Sequence, residues 1–323
     1  MRWTIGWSLV LALTVGASWA EELDDAIALF EDGRPEDARA LFQEAWKERP
    51  RPAAAYYLGR IDFSSGEMEA ATEWFEQAVE LDPRNADYTF WLGNGWGRQA
   101  REASIFRQLG LAKKCRTAYE RAVELDPGHV RARESLVEYY LQAPGIAGGG
   151  DDKAETQARE LMAIEPAPGH RLLARVYSDR EMNAEALASY QKAVESDPSD
   201  RHSYYALGFH QQAQERWHGA FDAFEAALER FPGDPDALYQ IGRTGVLSGQ
   251  RLERARKTLL EYLALEDFED TPGEAAARWR LGMVYEQLGN LANAVEQFEA
   301  SVRLDADFPP ARESLKSARR KVG

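Results

Sequence analysis

Residues 201–232 read RHSYYALGFHQQAQERWHGAFDAFEAALERFP. Leu207-Gly208 lies midway through the first half, Ala220, Phe224 and Ala227 recur at helical spacing through the second, and Pro232 closes the stretch. Apolar residues three and four apart give each half one face to bury, and the small residues among them let two helices approach closely. The stretch reads as a helix hairpin.

The same marks recur along the chain. Pro50, Pro83, Pro127, Pro166, Pro198 and Pro232 stand 33, 44, 39, 32 and 34 residues apart. Leu-Gly or Ile-Gly falls in the first helix at 58–59, 92–93, 207–208, 241–242 and 281–282. Small residues mark the second helix at Ala38, Ala71, Cys115, Ala154, Ala186, Ala220, Ala255 and Ala294. That series counts eight hairpins, starting near Glu22, Pro52, Ala86, Val130, Ala167, Arg201, Pro235 and Ala275. Asp82-Pro83, Asp126-Pro127 and Asp197-Pro198 end helices, because a residue before proline is pushed out of helical geometry.

Bulky apolar residues alternating with small ones, with a proline closing each copy at a period near 34, resemble the tetratricopeptide repeat (TPR) family. The resemblance covers nearly all of the chain after residue 20. It implies an all-α, right-handed α-solenoid of about eight hairpins over residues 21–308. The closing segment PPARESLKSARRKVG, 309–323, reads as a capping helix with Leu315 on one face and five basic residues along it. The ends of such arrays need a polar outer surface.

Composition agrees with a stack of repeats. The 323 residues are 44% apolar and 11% aromatic, spread evenly as a series of small interfaces requires. A net charge of −15 argues against nucleic acid and against an anionic membrane surface as partners. MRWTIGWSLVLALTVGASWA opens with Arg2, an apolar run and small residues at 18 and 20, which predicts a cleaved secretory signal over 1–20. An uncleaved anchor is the alternative; after cleavage no membrane span is expected. The single cysteine, Cys115, stands where other copies have alanine and reads as a buried apolar residue.

Two irregularities break the period. About ten residues are added in the third hairpin, within GWGRQAREASIFRQLG around 95–109, and about five in the fourth, within QAPGIAGGGDDKA around 143–150. Both fall between the two helices of their hairpins, so the additions are expected side by side on one edge, although extra helical turns would equally lengthen the third hairpin. GIAGGG lacks the lysine and hydroxyl residue of a phosphate loop and is followed by Asp151 and Asp152. It reads as a flexible, partner-shaped turn in which one of those carboxylates caps the next helix.

In TPR proteins the first helices line a concave surface. Carried over copy by copy, the resemblance puts Tyr56, Phe90, Tyr205, Tyr239 and Trp279 at one equivalent position and Arg60, Asn94, Phe209, Arg243 and Met283 four residues later. Rings interspersed with guanidinium groups suit an extended peptide, although tyrosine also occupies this position for packing alone. The family's carboxylate clamp is not carried over, because its positions here hold Tyr56, Arg60, Trp91, Asn94, Arg131 and Ser135, with no lysine. Arg171 and Arg175 could hold a carboxylate or answer Glu134 and Glu138 of the preceding hairpin. Arg98, Arg101, Arg107, Lys113, Lys114 and Arg116 form a basic island, suited to an acidic ligand or to pairing with Glu102, Glu120 and Glu124. His129, His170 and His202 each follow a recurring proline, a turn position, and no histidine has a partner at metal spacing.

No nucleophile elbow or dinucleotide fingerprint is present, and neither an enzyme nor a cofactor is expected. The expected function is a scaffold that binds a protein or peptide partner in the periplasm, or after secretion, in support of a cell-envelope complex. The alternatives are a self-associating homo-oligomer and an accessory subunit that presents substrate to an enzyme.

Overall fold

The computed structural model describes residues 23–265, 268 and 272–322. The expected signal segment, 1–20, lies outside them. All regular structure among the described residues is helical, in two compact units, Met1–Ile164 and Glu165–Gly323.

The first unit holds four hairpins: α1 (23–31) with α2 (Pro35–Glu48), α3 (Pro52–Ser65) with α4 (Met68–Leu81), α5 (Ala86–Glu102) with α6 (Ile105–Leu125), and α7 (Val130–Gln142) with α8 (Asp151–Met162). The second holds α9 (Pro166–Asp179) with α10 (Asn183–Ser196), α11 (Arg201–Ala213) with α12 (Trp217–Arg230), α13 (Pro235–Ser248) with α14 (Leu252–Leu263) and α15 (Glu274–Gln287) with α16 (Leu291–Leu304). A final helix, α17 (Pro309–Val322), closes that unit.

Local chemistry sets these limits. Asn85, Asp200, Asp234 and Asn290 precede their helices and accept a backbone N–H of the first turn. Asp82, Asp126 and Asp197 end α4, α6 and α10 just ahead of proline, as the dipeptides predict. Pro166 does not close a helix: it opens α9, where a missing N–H costs nothing, so His170 lies inside that helix rather than in a turn. His202 likewise sits in the first turn of α11, while His129 precedes α7 and its Nδ1 accepts from Ala132 N–H.

Packing repeats one device. A Cβ at Gly208 would lie 2.4 to 2.9 Å from three atoms of the Phe224 ring, so the bare backbone of α11 is the seat of that ring. Gly59 seats Phe75 in the same way, Gly93 seats Tyr119, Gly242 seats Leu259 and Gly282 seats Phe298. The small residues of the second helices, Cys115 included, are buried where the paired helices touch. α17 buries Ala311 and Ala318, accepts Trp279 Nε1 on Ser314 at 3.0 Å, and reaches Glu286 and Glu299 through Lys321 and Arg319.

The third hairpin departs from this plan by length. α5 has 17 residues and α6 has 21, against 14 in helices such as α3, α4 and α10. Most of the 95–109 insertion is therefore helix, with its break at Ala103 and Ser104, and α6 gains about two turns. In the fourth hairpin the added residues form a short 3-10 turn, Gly145–Ala147.

Candidate functional site

The two irregular hairpins, with Phe63 of α3, line an open cavity of about 1010 Å³ in the first unit. The added turns of α6 contribute Ile105 and Leu109 to one wall, with Ala112 and Cys115 following on the same helix, and the end of α7 with the 3-10 turn contributes Tyr139, Pro144, Ile146 and Ala147 to the other. Asn94, Tyr119 and Ser135 bring polar groups, and Arg98, Arg101, Glu134 and Glu138 supply charge. A volume of this size, with apolar walls and a few convergent polar groups, is at the upper end for a ligand site.

The wall formed by the turn is hydrogen-bonded to its surroundings, where its glycines alone suggested a flexible loop. Tyr139 Oη donates to Ala147 O at 2.8 Å, Lys153 Nζ to Gly148 O at 2.8 Å, and Gly150 N–H to Tyr140 O at 2.8 Å. Gly148 and Gly150 have φ of +96° and +154°, and Gly149 lies so close to the Ala143 carbonyl that no side chain fits. Tyr140 Oη donates to Glu120 Oε1 at 2.8 Å and ties α7 to α6. The expected carboxylate cap is absent: Gly150 precedes α8 with no side-chain bond, because Asp151 and Asp152 are already inside its first turn, where their charge favours the helix N-terminus.

The charges are unevenly matched. Arg98 pairs with Glu102 and Arg116 with Glu120, each at 3.8 Å, as helical spacing predicts. Glu124 pairs with Arg121. Lys114 lies over the Trp96 ring. Arg101, Arg107 and Lys113 form no ion pair among the described residues. Tyr119 donates its hydroxyl to Asn94 Oδ1 at 2.7 Å, which leaves the carboxamide NH2 of Asn94 as a donor at the cavity.

Burial pushes the Cys115 thiol up to about 11, with the polar contact of Tyr119 and the charge of Arg101 pulling only partly back. At pH 8 the thiolate is then roughly a thousandth of the population, and the thiolate is the reacting species. Iodoacetamide at pH 8 is expected to leave Cys115 essentially unmodified in the native chain over the time that fully alkylates it in urea; equal rates would refute the buried-thiol assignment.

Most of the aromatic ladder is spent on packing. Tyr56, Phe90 and Tyr239 are buried. Tyr56 lies against Tyr57, Phe75 and Tyr88, Phe90 against Tyr119 and His129, and Tyr239 against Tyr262 while accepting from Arg280 Nε at 2.7 Å. Arg60 donates to Tyr56 Oη and sits 4.1 Å over the Trp91 ring, and Arg243 donates to Gln212 Oε1 at 2.6 Å. Tyr205 donates to Asp234, Arg171 pairs with Asp200, and Trp279 packs on Phe308. Arg175 is partnered too. Phe209 alone among the ladder rings is well exposed, at 43%, while its inner edge meets Phe224. Of the ladder positions only Asn94 lines the cavity, joined there by Ser135 and by Arg98 and Arg101 of the basic island.

Sequence reasoning passed over three residues on this edge. Ile105 and Ile146 are each 76% exposed and Phe106 is 94% exposed. The available mark was the Ile-Phe pair directly after Ser104, two bulky apolar side chains at a helix start where no neighbouring copy has an equivalent helix to cover them. No group of three metal-ligating side chains lies together among the described residues, and no helix there is long and apolar enough to cross a membrane.

Tetratricopeptide repeat family models match residues 23–94, 171–235, 210–267 and 244–309, and 100–129. TPR repeat-containing protein YpiA of Bacillus subtilis is 23% identical over 256 residues, 76% of this chain and 56% of that protein. Cytochrome c-type biogenesis protein CycH of Pseudomonas aeruginosa is 28% identical over 272 residues, 84% of this chain and 57% of that protein. The chain thus spans little more than half the length of these two curated relatives. The crystal structure of a tetratricopeptide repeat protein from Parabacteroides merdae aligns over 94% of this chain and 99% of its own, with a TM-score of 0.51 at 13% identity, a likeness of fold alone.

Proposed function

Given that the chain belongs to the tetratricopeptide repeat family, we propose that it works by binding a protein partner, and that an apolar segment of that partner occupies the cavity between the third and fourth hairpins. The observation that carries the reading is that the two departures from the repeat build this one cavity together. Repeat proteins place insertions at binding edges, and these insertions supply two apolar side chains, Ile105 and Ile146, that their own hairpins leave largely bare. Arg101 and the carboxamide of Asn94 are the groups that would orient a bound segment.

The buried rings at Tyr56, Phe90 and Tyr239 hold the hairpins in register in this reading, with Arg60 and Arg243 bracing them. Outer contact in the second unit falls to Phe209, flanked by Tyr205, with Arg171, Arg175 and Trp279 as further candidates. A cell-envelope role is part of the proposal. It is supported by the signal segment expected from the sequence and by similarity to a cytochrome c-type biogenesis protein. No reaction and no cofactor are assigned to the chain.

Ala112 lies on the cavity wall and is half-buried. With a photocrosslinker at Ile146, wild type is expected to capture a defined partner in cells. Ala112→Trp, which fills the cavity, should cut that capture at least tenfold while leaving the circular dichroism melt within a degree or two. Undiminished capture by the filled variant would remove the cavity from the binding site. Light scattering of the purified chain at twice its mass, with crosslinks only to itself, would replace the proposal with self-association.

A further inference from the structure

The end of the third hairpin carries a second feature that an occupant of the cavity does not explain. Between residues 98 and 116 the chain has six lysines and arginines and one glutamate, in a protein of net charge −15. Arg101, Arg107 and Lys113 are not neutralised by any ion pair among the described residues. Within this basic segment Phe106 stands 94% exposed and does not line the cavity, so a peptide bound there would leave its ring in water. Ile105, beside it, is 76% exposed. The two extra turns of α6 place this apolar pair at the turn itself.

A bare ring and a branched aliphatic side chain ringed by cations match the boundary zone of a lipid bilayer, where apolar groups enter the acyl region and cations meet phosphates. The net charge of −15 does not oppose this at contact. At physiological salt, charges farther than about 8 Å are largely screened, so the local excess of six cations over one carboxylate between residues 98 and 116 counts for more than the net charge of the whole chain. The nearest acid in sequence is Glu102, engaged by Arg98; Glu120 is engaged by Arg116, and Glu134 and Glu138, which line the same cavity as Arg101, also have partners. We propose that the tip of the third hairpin, Ile105 and Phe106 with Arg101, Arg107 and Lys113, docks peripherally on an anionic phospholipid surface. The proposal shares Ile105 and Arg101 with the cavity reading and is set apart from it by Phe106, Arg107 and Lys113, which do not line the cavity.

The test is local, so that any affinity of the N-terminal segment for lipid does not enter it. Phe106→Cys and, in a second sample of the full chain, Leu260→Cys are labelled with an environment-sensitive NBD probe, the buried Cys115 remaining unlabelled. Vesicles of phosphatidylcholine with 30% phosphatidylglycerol are expected to blue-shift the emission at position 106 and raise it severalfold. Pure phosphatidylcholine vesicles should leave it unchanged, as should either vesicle for the probe at 260. Arg107→Gln or Lys113→Gln should raise the vesicle concentration at half-effect about fivefold each, and 0.5 M salt should abolish most of the signal. No response at 106, an equal response to both vesicles, or an equal response at 260 would overturn the proposal. So would capture of a protein at 106 with lipid having no effect.

Discussion

Gly149→Ala is expected to destabilise the first unit by about 3 kcal/mol, the upper end for an overpacked site. An added Cβ would lie 1.7 Å from the Ala143 carbonyl oxygen, 2.6 Å from its carbon and 3.1 Å from the Tyr140 oxygen. All three atoms belong to the backbone at the end of α7, so no side-chain rotation relieves the clash. To make room, the 3-10 turn must leave α7, which breaks the Gly150 N–H bond to Tyr140 O and moves Ala147 away from Tyr139. The far wall of the cavity would go with it. The control is Gly145→Ala, where nothing lies within 4 Å and φ is not positive, and where a change within about 0.5 kcal/mol is expected. Hydrogen exchange over α7 and α8 resolves the effect locally, since a chain of two compact units need not unfold in one step. Wild-type protection in Gly149→Ala would contradict the account of the turn.

That glycine also shows what the sequence could and could not reveal. The run of three glycines marked a break in helix, but the reason for each lies outside the run: an α7 carbonyl for Gly149, left-handed backbone for Gly148 and Gly150. Composition suggested mobility, and it does not show the hydrogen bonds that tie the turn to Tyr139, Tyr140 and Lys153. The fold was legible for the opposite reason. Leu-Gly, the small residue of the second helix and the closing proline are local marks of a local hairpin, and each is repeated often enough that chance coincidence is removed. The length of the third hairpin was legible too, but whether ten residues become loop or helix depends on whether the extended α6 finds support. α5 and the 3-10 turn provide it.

The ladder residues were located by register, and register carries no information about cover. Tyr56 is buried because Tyr57, Phe75 and Tyr88 close around it, and Phe90 because Tyr119 and His129 do the same. A position that the repeat pattern assigns to the concave surface is covered here by rings of its own hairpin and of the next. Ile105, Phe106 and Ile146 escaped notice because they belong to no repeat position, so periodicity passed over them.

Gly208→Ala tests the packing device that five of the hairpins share, and it sets two known effects of opposite sign against each other. Within a helix, alanine is favoured over glycine by about 1 kcal/mol. At Gly208 the new methyl would lie 2.4 to 2.9 Å from the Phe224 ring, which is fully buried and held by Tyr205 and Phe209 at centroid distances of 6.3 and 5.5 Å. The ring has nowhere to go, and overpacking of this kind costs about 1 to 3 kcal/mol. A net loss of about 2 kcal/mol is expected in urea denaturation of the second unit. Gly110→Ala makes the same chemical change in α6, where nothing lies within 4 Å, and is expected to stabilise by up to about 1 kcal/mol. The decisive measurement is the double variant. Phe224→Leu removes the ring that the methyl strikes, so in the Gly208→Ala background it should recover stability, although alone it leaves a void and destabilises. A coupling of at least about 1 kcal/mol between the two sites follows if glycine is retained to seat the ring. Additive effects would mean that the helices pair without needing that close approach.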